Sequence, residues 1–136
     1  MIGPLRGRYF FLSNFYPTSF GSVEHQYQAA KTLDIEWHQK ILNSPTAAGA
    51  KRLGRQAPKR PDWNDIRIQT MEDLVTMKFF SDPNLTKLLL DTGDEEIVEK
   101  NWWGDIFWGR CDGVGENFLG RILMAVRAEA RYWEVH

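Results

Sequence analysis

Glu24, Gln28 and Lys31 stand at i, i+4 and i+7, a spacing that puts three side chains on one face of a helix. A carboxylate, an amide and an amine sharing a face suggest more than solvation. A second block, Asp105-Ile106-Phe107-Trp108-Gly109, adds another acid beside a flat ring. Two acids, an amine and aromatic rings are the parts of a site that breaks a glycosidic bond next to a stacked base. Each residue alone has an ordinary reading. Glu24 suits the dipole at a helix N-terminus, His25 beside it fits a structural hydrogen-bonder, and Lys31 fits a solvated surface charge. The shared face raises the set above its members.

The chain carries 6 tryptophans, and most large aromatics serve cores. Trp63 and Trp108 lie among Gly, Pro, Asp and Asn, where a ring can face a cleft and stack on a base. Trp37 and Trp133 read as packing or surface residues. Gly113-Val114-Gly115-Glu116-Asn117-Phe118-Leu119-Gly120 lacks the spacing of a dinucleotide fingerprint, and no βαβ pattern surrounds it. It reads as a tight loop feeding the last helix, whose free N–H groups, with Asn117 and Arg67, could hold a phosphate. A plain turn and cap is the alternative. Lys51-Arg52, Arg55 and Lys59-Arg60 form a basic stretch that suits phosphates or a solvated helix face. No Cys/His cluster has metal-ligand spacing, and the chemistry needs no metal or redox cofactor.

The elements that must position these groups are mostly helical. Tyr9-Phe10-Phe11-Leu12 is short and apolar and predicts a buried strand. Ser22 predicts an N-cap for a helix to about Leu33. Asp34 caps a second helix through Leu42. Ser44-Pro45 predicts a cap with proline at the first helical position, a helix over Thr46 to Leu53, and a stop at Gly54. Asp62 caps a helix with Ile66, Met71, Leu74, Val75 and Phe79 as its apolar stripe. Asp82-Pro83 opens another, stopped by Gly93. Glu96 to Glu99 reads as extended. Asn101 to Gly115 reads as an ordered loop, and the last helix starts near Phe118 with Leu119, Ile122, Leu123, Val126 and Ala130 inward. The sum is an α+β, mainly α fold of about six helices and a small sheet.

With 136 residues and net charge -1, the chain suits one domain over 1–136. Near-neutrality removes the usual electrostatic argument for tight duplex binding, though not for a small anionic substrate. Cys111 is the only cysteine, which excludes an intrachain disulfide, suits a reducing compartment and reads as an incidental thiol. No apolar run approaches the ~20 residues of a membrane helix, and residues 1–7 lack signal-peptide features. The expected location is the cytoplasm, with no membrane partner.

Many of these residues, in order, resemble the NADAR (YbiA-like) family. The matches are Phe11-Leu12-Ser13-Asn14-Phe15, Glu24-His25-x-Tyr27-Gln28-Ala29-x-Lys31, Ala50-Lys51-Arg52-Leu53-Gly54-Arg55, and Arg60-x-Asp62-Trp63. Met71 with Lys78-Phe79, Thr92-Gly93-Asp94, Asp105-x-x-Trp108-Gly109 and Gly115-x-Asn117-x-Leu119-Gly120 follow. The resemblance implies a compact, mainly helical α+β domain and an N-glycosidase. Its substrates would be a ribose 5-phosphate N-glycoside of the early riboflavin pathway, or ADP-ribose on the amino group of guanine, including guanine within nucleic acid. It implies Glu24 and Asp105 as catalytic carboxylates; Lys31 joins them as a nucleophile that forms a Schiff base or, equally, as a cation for a ribose or phosphate oxygen. Asn14, Phe15, His25, Gln28, Trp63, Arg67, Trp108, Gly109 and Asn117 would bind substrate. The family pattern carries a longer hairpin before the Glu-His motif; here Ser19-Phe20-Gly21-Ser22 runs almost directly into it, which shortens that rim. The competing class is a non-catalytic ADP-ribose or nucleotide-binding module. A small structural helical protein would explain the apolar stripes but not the polar face.

Overall fold

The computed structural model describes residues 1–136. The elements run α1 (Val23–Ala30), α2 (Ile35–Leu42), α3 (Ala47–Gln56), α4 (Trp63–Phe80), α5 (Pro83–Leu90), β1 (Lys100–Asn101), β2 (Arg110–Cys111) and α6 (Phe118–Val135), after a 3₁₀ helix over Gly7–Leu12. The fold is mainly helical with a small parallel sheet, pairing Lys100 with Arg110 and Asn101 with Cys111. No helix is long and apolar enough to cross a membrane. The chain forms two compact units, residues 14–74 and residues 1–13 with 75–136.

In the unit of residues 14–74, α1, α2 and α3 pack on one another, and Ala29, Ile41 and Ala50 are their buried centre. Local chemistry sets each boundary. The Ser22 Oγ accepts the His25 N–H and opens α1. That helix stops at Ala30, short of Leu33, because the Lys31 and Thr32 amides turn back to Gln28 and Ala29 carbonyls. Asp34 caps α2 through the Trp37 amide at 3.1 Å. The cap of α3 is Thr46, which accepts the Gly49 amide at 3.0 Å, rather than Ser44. Gly54 does not end α3. The helix runs on to Gln56, and Ala57 turns extended with ψ 147, as a residue before proline must. Ahead of α1, Thr18 and Gly21 exchange backbone hydrogen bonds of 2.9 and 3.2 Å. That tight turn, with Gly21 at φ +95, closes the shortened segment before Glu24.

In the other unit, Phe11 and Leu12 are both buried. A strand would send them to opposite faces; the 3₁₀ turn, closed by the Ser13 amide on the Phe10 carbonyl, turns both inward. Asp82 caps α5, with Pro83 at its start. The α6 stripe of Leu119, Ile122, Leu123, Val126 and Ala130 is buried as its period requires. Ile2 and Ile97 form an isolated parallel bridge, so part of the extended segment before β1 is paired. Lys78 is 1% exposed. Its ammonium donates to the Ser13 carbonyl at 2.9 Å, and burial pulls its pKa down from 10.5 to about 7.

Candidate active site

The polar face of α1 is turned inward. Glu24 is 7% exposed and Gln28 is also buried. The Glu24 amide donates to the Asn14 carbonyl at 3.0 Å. Its Oε1 accepts the Gln28 Nε2 at 2.8 Å. Burial pushes the Glu24 carboxyl above its ordinary value, and the Gln28 hydrogen bond and the Lys51 and Lys31 charges offset only part of that. Lys31 moves the other way. Burial lowers its pKa, and Lys59, Arg55 and Lys51 add to the fall, while Glu24 opposes it. An acid pushed up and an amine pushed down approach each other in proton affinity, which is how a site runs acid and base chemistry near neutrality.

Several contacts fix this pair. The Gln28 amide lies against Gly54 of α3, where an added Cβ would stand 2.7 Å from its Cδ. Gly54 is therefore an approach glycine, which is why it sits inside the helix. The Lys31 ammonium lies 5.9 Å from the centre of the Tyr27 ring. Tyr27 in turn packs on Trp63, ring centres 5.0 Å apart. The Lys31 carbonyl accepts the Arg60 amide at 2.7 Å.

Trp63 is 2% exposed. Its ring packs in the core and supports Tyr27. His25 is held at both ring nitrogens. Its Nδ1 is 2.7 Å from the Ser22 Oγ and its Nε2 is 2.9 Å from the Ser44 carbonyl. A carbonyl only accepts, so Nε2 carries the proton and Nδ1 accepts the Ser22 hydroxyl. The ring ties the start of α1 to the segment before α3 and has no nitrogen left for a ligand. Asn14 is buried and donates to the Met71 Sδ at 3.4 Å. Phe15 is half-buried, with the Lys51 ammonium 5.9 Å from its ring centre. Arg67 is half-buried, on the α4 face that carries buried Trp63 and Met71 one turn to either side.

The other motif builds a different object. In the unit of residues 1–13 and 75–136, the Asp105 Oδ1 accepts the Phe107 and Trp108 amides at 3.1 and 2.9 Å. Asn101 holds the Asp105 backbone on both sides, at 2.9 and 2.8 Å. The turn so formed aims four carbonyls at the start of α6. Ile106, Gly109, Phe107 and Trp108 accept the amides of Glu116, Asn117, Phe118 and Leu119 at 2.8 to 3.2 Å. A helix N-terminus can bind a phosphate through free N–H groups; here the loop has taken them. Asn117 is 0% exposed, with φ 54 in the left-handed region. Its Oδ1 accepts the Glu99 amide and its Nδ2 donates to the Ile97 carbonyl. Asn117 thus pegs two segments together. Gly109 is buried so close to the Glu99 carbonyl that no side chain fits, so it too is structural. Trp108 is half-buried, edge-on to Phe107 at 4.8 Å.

Lys51, Tyr27 and Gly54 are the residues whose place at this site sequence reasoning did not single out. The one available signal was the Lys51–Gly54 spacing within the basic stretch, a single turn of α3.

A buried acid on α1 with a half-buried amine at its C-cap is an arrangement capable of acid–base and nucleophilic chemistry. The comparisons make the class specific. The sequence profile of the NADAR domain matches residues 6–131, and the chain belongs to that family. It is 46% identical over 129 residues to a riboflavin biosynthesis protein of Vibrio vulnificus, covering 88% of this chain and 35% of that protein. The chain thus spans about a third of that relative's length. An N-glycosidase of Nostoc punctiforme is 38% identical over 132 residues, covering 88% of this chain and 84% of the relative. The NMR structure of the Escherichia coli protein YbiA superposes with TM-score 0.87 at 29% identity, covering 99% of this chain and 86% of that one. A mainly helical NADAR fold is therefore established.

Proposed function

We propose that this chain is an N-glycosidase, a hydrolase of the bond between a ribose and an exocyclic amine of a pyrimidine or purine. The observation that carries the reading is Glu24 and Lys31 on one inward face, with pKa values displaced toward each other. N-glycosidase relatives support the reaction class. The riboflavin biosynthesis relative favours a ribose 5-phosphate N-glycoside of that pathway as substrate. ADP-ribose on a guanine amino group is the other substrate with the same bond. Lys51, Arg55 and Lys59 around the Lys31 amine suit an anionic sugar phosphate.

The chemistry follows from the pair. Neutral Lys31 attacks the anomeric carbon as the C–N bond breaks. Protonated Glu24 gives its proton to the departing amine. The resulting carboxylate takes the proton from the new Nζ–C bond and passes it to the ring oxygen as the sugar opens to an imine. Water then adds to the imine carbon while Glu24 accepts its proton, and collapse frees the sugar and Lys31. A route in which the carboxylate activates water directly uses the same Glu24 without the covalent step. In this reading Arg67 would meet a phosphate, and Asn14 and Phe15 would border the sugar.

The test is incubation of the protein with each N-glycoside, following the released amine by chromatography and mass. Turnover of the riboflavin-pathway compound is the expected result. Turnover of ADP-ribosyl-guanosine alone would move the assignment to the second substrate, and release from neither would overturn the reading.

A further inference from the structure

The α3 helix brings a second lysine to the same place. Gly54 accepts the Gln28 amide against its backbone, and Gln28 holds Glu24 one turn back along α1. Lys51 precedes Gly54 by one turn of α3, so it lies on the face that packs on α1. It is half-buried, and its ammonium is 5.9 Å from the Phe15 ring centre. Phe15 follows Asn14, whose carbonyl accepts the Glu24 amide. Lys31 stands at the same 5.9 Å from Tyr27. Each ammonium is thus associated with an aromatic ring, in reach of one buried carboxylate, and such cation–ring contacts hold a charge in place.

We propose that Lys51 is the tuning residue of the acid–amine pair: its fixed charge favours the ionised form of Glu24 and the neutral form of Lys31. The inference rests on the N-glycosidase reading for its purpose but not for its physics. The mechanism needs Glu24 to return to a carboxylate between proton transfers and needs Lys31 to shed its proton before attack. One cation at Lys51 promotes both, because a positive neighbour lowers the pKa of an acid and of an amine alike. Other titratable groups also face the pair. His25 and Lys31 on α1 face Glu24. Arg55 on α3 and Lys59 beyond it join Lys51 and Glu24 in facing Lys31.

The test reads the two groups without substrate. Lys51→Met and Lys51→Arg are made in the full chain. The Lys31 amine is titrated by pH-dependent acetylation and mass spectrometry, and the Glu24 carboxyl by carbon NMR. Lys51→Met should raise both midpoints, and Lys51→Arg should leave both near the parent values. Unmoved midpoints in folded Lys51→Met would overturn the inference. If Lys51→Met does not fold, Lys51→Gln serves, judged the same way. With substrate, the pH–rate profile of Lys51→Met should move to higher pH. A raised KM on an unmoved profile would reduce Lys51 to a binding charge and overturn the tuning role. A parent protein that cleaves no N-glycoside would sink the functional reading while leaving the titration result standing.

Discussion

Gly54→Ala tests how the catalytic face is held. The new Cβ would overlap the Gln28 Oε1 and stand 2.7 Å from its Cδ and 2.9 Å from its Cβ. The amide end can swing away, but the Gln28 Cβ is fixed to α1, so the helices must also part slightly. In an unencumbered helix the change from Gly to Ala would stabilise by ~1 kcal/mol. Overpacking costs ~1–3 kcal/mol, and losing the hydrogen bond to the Glu24 carboxylate costs ~1.5–3 kcal/mol. The net expectation is a loss of about 1.5–5 kcal/mol by denaturant unfolding at 25 °C. Turnover should fall by ~10²-fold, because Glu24 loses its Gln28 anchor and a displacement near 1 Å is enough. Gly49→Ala is the control within the same helix. Its Cβ would meet the Ser44 hydroxyl, the end of a short side chain that can give up its bond to the Thr46 carbonyl and swing to solvent, so stability should fall by less than in Gly54→Ala. A Gly54→Ala protein as stable and as active as the parent would refute the close-approach argument.

Lys78→Met should remove a pH dependence. The folded pKa of Lys78 is about 7 against an ordinary 10.5, so between those values the unfolded chain binds more protons and stability from this group rises with pH. The slope is worth about 1.4 kcal/mol per pH unit at most, and unfolding free energies measured across that window should lose it in the variant; an unchanged slope would place the titration elsewhere. Borohydride added during turnover should trap a sugar adduct on Lys31, read by peptide mass, and its absence would favour direct water attack. Asn117→Ala should cost about 2–4 kcal/mol in unfolding free energy, since it strands the Glu99 amide and the Ile97 carbonyl. Its Michaelis constant should not move, and a weakened substrate affinity with unchanged melting would restore Asn117 as a ligand.

The helical face was legible because i, i+4 and i+7 spacing survives any packing, and the caps at Ser22, Asp34 and Asp82 announce themselves in local hydrogen-bonding chemistry. What the sequence could not convey was which polar groups the backbone itself would claim. His25 reads as a ring beside an acid; the serine hydroxyl and carbonyl that occupy it lie at Ser22 and Ser44. Asn117 and the α6 amides read as phosphate ligands until the carbonyls of residues 106–109 are seen to fill them. Trp63 reads as a loop aromatic because polar residues flank it, yet it opens α4 and turns inward onto Tyr27. Gly54 reads as a helix stop because local propensity is the only signal available, whereas its purpose is the close passage of Gln28. In each case a long-range partner overrides the local reading.

The central claim is that a buried Glu24 does chemistry at the expense of stability, and Glu24→Gln measures both halves. Glutamine keeps the shape and removes the charge. Because burial raises the Glu24 pKa, the neutral carboxyl's contribution to stability is full below pH 4.5 and is lost as pH rises through the folded value, where the buried group ionises. The variant should therefore melt no lower than the parent at pH 7, and relatively higher than at acid pH. Cleavage of the ribosyl amine should fall by at least ~10²–10⁴-fold. A variant that melts as expected but cleaves at the parent's rate would contradict the account.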